Sequence, residues 1–333
     1  MRRLFLCSVA CAFTIIGSII GAGFVTGKEV FVFFAKDISL GGMYFTFLCF
    51  AFAIYFVMTF MANSCVIKHV GVFVSVANLI VAGCMISALD SVYQRLFCIS
   101  KNIKIFSIIT AILLFIISLG GLGRVERFCS LTLPLVIVVI VILCVIKIDE
   151  NSIPISPKGY LGVTKPFVYV GFNVVLSFGV IKNSREKLSP PFKIVASVIT
   201  SFLICTCIFL LSLAVKNEGY KSEMPFLSLF YSNKKLLKII DIITLFAIYS
   251  TLISALYTIN NFGGIKINAC CKLCLFLLVV LVSFVGFSAI VERLYPTIGI
   301  LAYVFILSSF LLSRLFLKAQ QGRTLCLPKS KEL

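Results

Sequence analysis

The chain has 333 residues, 61% hydrophobic and only 13% charged, with a mean hydropathy of +1.14. A soluble domain is about half apolar and about a quarter charged, so no water-soluble packing fits this composition. The net charge of +18 would point to nucleic acid in a soluble protein. Here the basic residues sit in short clusters between long apolar runs and read as membrane orientation, so the lipid bilayer is the expected partner and nucleic acid is not.

A membrane-spanning helix needs about 20 mostly apolar residues. Ten segments qualify, at roughly 4–34, 40–62, 70–96, 105–121, 128–147, 166–182, 192–215, 239–259, 273–291 and 296–317. Arg2 and Arg3 before an apolar run share the start of a signal-peptide pattern, but nine further apolar segments follow, so the run reads as the first span.

Residues 4–34 would measure about 46 Å as one straight helix, well beyond a hydrocarbon core of about 30 Å. A break or a strong tilt is needed. The middle of this segment reads Gly17-Ser18-Ile19-Ile20-Gly21-Ala22-Gly23-Phe24. Each Gly costs a helix about 1 kcal/mol relative to Ala. In lipid, freed backbone must find partners or line a cavity. A helix opened here offers carbonyls from Gly17 to Ile20 to a cation. The new N-terminus near Gly23 turns its amides and positive dipole end toward an anionic group. Gly17-x-x-x-Gly21 also fits a close helix-packing face, and the letters alone leave both readings open. Glu29, six residues after Gly23 and about 9 Å along a helix, is an acid at membrane depth and the candidate for proton coupling. The alternative is a Lys28/Glu29 pair at the rim of the outer vestibule.

Asp90 and Asp241 fall near the ends of spans three and eight and read as interfacial. The fifth span carries no ionisable interior residue beyond Cys. The loop after it (Asp149 to Thr164, with Pro154, Pro157 and Gly162) is a natural seam between two halves, 1–148 and 160–318, of one transmembrane domain. The sixth span is short and carries Gly171-Phe172-Asn173, with Gly171 at a position roughly corresponding to Gly17. Asn173 would there bond substrate or ion, or else join helices. Met224 to Tyr231 is apolar but too short to cross, so it reads as an outer lid helix or an interfacial segment. The eighth span contains Ala247-Ile248-Tyr249-Ser250-Thr251. Two adjacent hydroxyls and a carbonyl one turn earlier suit a small hard cation, although such hydroxyls also bond carbonyls of their own helix. The basic loops 122–127 and 182–193 and the basic tail 319–333 place both termini in the cytoplasm, at the plasma membrane.

Many of the fourteen Cys lie inside spans, where Cys is a small apolar residue. Cys270, Cys271 and Cys274 lack a fourth nearby ligand for zinc, and the single His is His69. No nucleophile–base pair, P-loop or metalloprotease motif appears, so neither an enzyme nor a cofactor is expected.

The run from Gly17 to Phe34, Gly-Ser-Ile-Ile-Gly-Ala-Gly-Phe-Val-Thr-Gly-Lys-Glu-Val-Phe-Val-Phe-Phe, resembles the first helix of the YkvI-like membrane proteins. Their pattern is similar to G-x-x-I-G-A-G-F-A-S-G-Q-E. Tyr169-Val-Gly-Phe-Asn-Val-Val-Leu resembles that family's Y-x-x-[YF]-N-x-[VL]-L stretch. Two departures are Lys28 in place of Gln, and Lys182-Asn183 where the family has a Pro-Leu-Gly turn.

The resemblance implies an all-α polytopic protein of the amino acid–polyamine–cation transporter superfamily. It would have about ten transmembrane helices in a LeuT-like 5+5 inverted repeat, with helices one and six broken. It further implies sodium held by Gly17, Ile20, Ala247, Ser250 and Thr251. The substrate, a small amino acid or similar zwitterion, would be bound by Ser18, Gly21, Ala22, Gly23, Phe24, Gly171, Phe172 and Asn173. A non-transporting sensor resembling spore-germinant receptor subunits is the alternative.

Overall fold

The computed structural model describes residues 2–34, 40–60, 64–97, 104–148, 161–184, 186, 188–215, 224–261 and 268–308. The tail 319–333, most of the seam loop, the acidic residues Asp149, Glu150, Glu218 and Glu223, and the side chains of Lys68 and His69 lie outside this set.

Among the described residues every ordered element is helical. They are α1 (Arg2–Ile19), α2 (Ala22–Val25), α3 (Lys28–Phe33), α4 (Leu40–Phe60), α5 (Ser64–Phe97), α6 (Lys104–Ser118), α7 (Leu122–Lys147), α8 (Leu161–Ser184), α9 (Pro190–Val215), α10 (Pro225–Ser228), α11 (Lys234–Asn260) and α12 (Ala269–Val282), with α13 (Phe287–Ser308) last. Seven of these helices are long and apolar enough to cross a membrane; α1, α6 and α12 are shorter apolar helices. Each of the ten predicted segments is thus mainly helical where described, with interruptions in the first and the ninth.

The surface explains the composition. Ile105, Phe106, Ile112 and Leu113 on α6, with Leu131, Leu135, Val138 and Ile142 on α7, are exposed apolar side chains in continuous stripes. A soluble protein does not tolerate such a surface, and hydrocarbon does. This is a multi-pass membrane protein. Inside the ring, α11 packs against α5, α7 and α6, and α1 against α9, α7, α8 and α11. The windows of α8 and α11 are each 72% buried, against 33% for α4 and α13. The central helices therefore carry the residues singled out in the sequence.

Two expectations need correction. The sixth span does not break: α8 runs as one helix through Gly171-Phe172-Asn173. A Cβ on Gly171 would come within 2.8 Å of the Gly299 carbonyl, so this glycine lets α8 and α13 approach closely. Asn173 and Ser177 bond back along the helix, to the carbonyls of Tyr169 (2.9 Å) and Asn173 (2.7 Å).

The ninth and tenth spans meet at Gly286 (φ 95°), earlier than the predicted loop around Glu292. Ile290–Leu294 form a π turn inside α13 rather than a connection. Pro296 accounts for it, because it lacks an N–H and its ring crowds the carbonyl four residues back.

Asp90 and Asp241 are both buried by neighbouring helices. Asp90 accepts from Ser107 Oγ at 3.0 Å, and Asp241 is 2.8 Å from an Arg95 guanidinium nitrogen.

Candidate substrate and ion site

The first span breaks where its glycines lie. α1 ends at Ile19, Ile20 and Gly21 are non-helical, and α2 starts at Ala22. A second interruption follows at Thr26-Gly27, with Gly27 at φ 77°, a left-handed conformation that favours Gly. Backbone groups released by both breaks find partners. The Thr251 hydroxyl of α11 lies 3.0 Å from the Gly17 carbonyl and 3.1 Å from that of Ile20, within donating distance of both. The Ala22 N–H points to the Met85 sulfur of α5 at 3.5 Å. The Thr26 carbonyl accepts the Phe226 N–H at 2.9 Å, which seats α10 over the end of α2. Phe226 and Leu227 are fully buried there, so the short apolar segment packs against the first span.

The two readings of the glycines turn out to be compatible. A Cβ on Gly17 would strike the Cys129 sulfur at 2.7 Å, and one on Gly21 would crowd Thr251 and Met85. Gly17 is therefore a packing glycine against α7 that also presents its carbonyl to α11. Gly23 has a different cause: the Glu29 side chain folds over it, occupying the space a Cβ would need.

The structure brings Thr251 to the carbonyls of Gly17 and Ile20 across the α1–α11 contact, with Ala247 and Ser250 beside Thr251 on α11. Ser250 Oγ donates to the Ala247 carbonyl at 2.9 Å. Gly17, Ile20, Ala247, Ser250 and Thr251 are all buried, and the Thr251 hydroxyl is the oxygen that meets the two carbonyls of the break. Gly21, Ala22, Gly23 and Phe24 line the break itself, with Ala22 and Phe24 fully buried.

Ser18 turns its hydroxyl back to the Ile15 carbonyl at 2.7 Å, inside α1. Gly171 is taken up by contact with α13, and Phe172 stacks on Tyr295 with ring centroids 4.2 Å apart. Asn173 is fully buried, and its side-chain oxygen makes no hydrogen bond.

Glu29 is 3% exposed. Its neighbour Lys28 does not pair with it but reaches Glu292 of the π turn at 2.7 Å. The nearest hydrogen-bonding group to Glu29 is the Tyr169 hydroxyl at 3.5 Å. Sequence reading missed Met85 at the break, Tyr169 beside Glu29 and Tyr295 against Phe172. Tyr169 heads the quoted sixth-span motif, but nothing in the letters around Met85 or Tyr295 marks them.

The fold is that of known LeuT-like transporters. The chain is similar to Mhp1, a nucleobase-cation-symport-1 family transporter solved in a closed conformation with bromovinylhydantoin bound. The TM-score is 0.57 at 14% identity, covering 90% of this chain and 75% of Mhp1. Mhp1 in an inward-facing conformation matches with a TM-score of 0.55 at 13% identity, over 89% of this chain and 73% of that one. A manganese transporter of Eremococcus coleocola matches with a TM-score of 0.50 at 13% identity, covering 93% of this chain and 77% of that one. Comparison of the sequence with protein families and with curated proteins finds no match.

Proposed function

We propose that this chain is an ion-coupled secondary transporter, not an enzyme, that carries a small amino acid or similar zwitterion by alternating access. The YkvI-like resemblance of residues 17–34, the shared fold and the broken first helix all favour this reading. One observation carries it: the Thr251 hydroxyl lies at 3.0 and 3.1 Å from two carbonyls released by the break. If that hydroxyl turns its hydrogen away, its oxygen joins the carbonyls of Gly17, Ile20 and Ala247 and the Ser250 hydroxyl around sodium. An all-oxygen set on a discontinuous helix suits a small hard cation.

The substrate carboxylate faces the amides of Ala22 to Phe24. There the Ala22 N–H rests on the Met85 sulfur, a weak acceptor that a carboxylate displaces with a gain in bond strength. The free side-chain oxygen of Asn173 is an acceptor for the substrate's ammonium group.

Uptake of labelled amino acids into proteoliposomes, with and without an inward sodium gradient, tests both parts. Sodium-driven uptake should vanish when Ser250 and Thr251 are both replaced by Ala. Uptake that ignores sodium and survives that double substitution would remove sodium from the mechanism. Ligand-induced thermal stabilisation without any flux would favour the sensor reading instead.

A further inference from the structure

Between α4, α8 and α13 lies a groove of about 440 Å³, away from the oxygens of the first break. Val57 of α4 and Val170 and Val174 of α8 form its floor, each no more than 2% exposed. Phe52 of α4 and Leu307 of α13 stand at its rim, 69% and 61% exposed. The walls are aromatic and stiff: Phe167 and Tyr303 stack with ring centroids 3.9 Å apart, and Phe52 stacks on Phe56 at 5.9 Å. Among the described residues that line the groove, the one hydroxyl, that of Tyr303, donates to the Phe167 carbonyl at 2.6 Å. Cys49 adds a thiol, which packs as a small apolar group.

A groove lined this way stays dry, because a water settles in a cavity only where it finds roughly two to four polar partners. Left empty, it forfeits the dispersion contacts that its lining atoms would otherwise make. A small ligand arriving from water finds nothing to orient it, whereas pockets for such ligands carry a few placed polar groups. The medium beside the groove is better matched. Among the seven candidate spans, α4 and α13 have the least buried windows, 33% each. The rim therefore meets the same hydrocarbon as the exposed stripes of α6 and α7. That hydrocarbon consists of acyl chains, which are thin, flexible and wholly apolar.

We propose that the groove holds one acyl chain of a bilayer phospholipid, inserted between α4 and α13 and resting on α8. Within the membrane this chain gains nothing from leaving water, since it lies in hydrocarbon already. Its preference comes from shape. α8 packs against α4 and, at Gly171, against α13, so a chain on Val170 and Val174 touches all three helices. A chain beside a single exposed helix makes fewer such contacts, and each contact adds a small dispersion gain. Lipid binding here is independent of whether the protein transports.

The protein contains no Trp, so a single introduced Trp reports its own surroundings alone. Phe52→Trp places it on one rim of the groove and Leu307→Trp on the other. Leu131→Trp places it on the open face of α7, where residue 131 is 80% exposed. Each full-length variant in detergent is titrated with phosphatidylcholine brominated on its acyl chains, which quenches Trp on contact. Quenching at 52 and 307 should be half complete at about tenfold less lipid than at 131, equivalent to about 1.4 kcal/mol of preference. Adding Ala53→Phe to Phe52→Trp should fill the groove and return its titration to that of Leu131→Trp.

Equal titrations at 52, 307 and 131 would overturn the proposal and leave only the ordinary contact of any membrane surface with lipid. A Trp at 52 that stays shielded from brominated lipid until the protein is diluted would overturn it as well, because a second copy then occupies the groove. Should Ala53→Phe fail to fold, the smaller Ala53→Leu should move the Phe52→Trp titration part of the way toward that of Leu131→Trp. An unmoved titration in that variant overturns the proposal equally.

Discussion

The first and sixth spans both carry glycines at mid-membrane, and they fold differently. At Ile20-Gly21 the chain leaves the helix; at Gly171-Phe172-Asn173 it continues through α8. What separates them is the neighbourhood. Around the first break, a hydroxyl from α11, a sulfur from α5 and an amide from α10 take up the released carbonyls and N–H. Around Gly171 the Gly299 carbonyl and the Tyr303 ring fill the space of a side chain, and Tyr303 bonds the Phe167 carbonyl of the intact helix. Glycine thus permits a break, and partners for freed backbone decide whether one occurs.

That contrast can be broken from either side. The largest effect is expected at Gly171→Val: the added atoms collide with the backbone of α13, and the strain should cost about 3 kcal/mol. The thermal unfolding temperature in lipid nanodiscs should fall sharply, while hydrogen–deuterium exchange within residues 17–25 should change little. Next comes Thr251→Val, which keeps the shape and removes the hydroxyl, leaving two buried carbonyls without their donor. A loss of about 2 kcal/mol is expected, concentrated as faster exchange at the first break; Thr251→Ser should recover most of it. The smallest is Gly27→Ala, which forces a Cβ onto a left-handed residue for about 1 kcal/mol and presses against Phe226. It should loosen α10, read as earlier proteolysis near residue 225, with the rest of the fold unchanged.

The ten apolar segments were readable because hydrocarbon thickness imposes a minimum length that composition cannot hide. The break in the first span was readable too, since three glycines and excess length point the same way. The α1–α11 meeting of Gly17 and Ile20 with Thr251 followed from resemblance, and the geometry brings those residues together. The continuous α8 was not readable, because a packing glycine and a hinge glycine are the same letter, and only the opposing surface tells them apart. The π turn was missed because Glu292 and Arg293 look like a loop. Within the fold Glu292 is used by Lys28, and Pro296 imposes the irregularity. The burial of Asp241 escaped notice for a related reason: its partner Arg95 lies 146 positions away in the chain.

The joint between α10 and the first span runs from the amide of residue 226 to the carbonyl of residue 26. Both ends are main chain, so the bond places no requirement on which amino acid stands at either position, short of proline at 226. Lineages descended from this gene can exchange both letters, together or separately, and still inherit the connection. Covariation between the two columns of an alignment would stay silent about it. The link between α10 and the first span is therefore passed on as a shape rather than as a pair of residues.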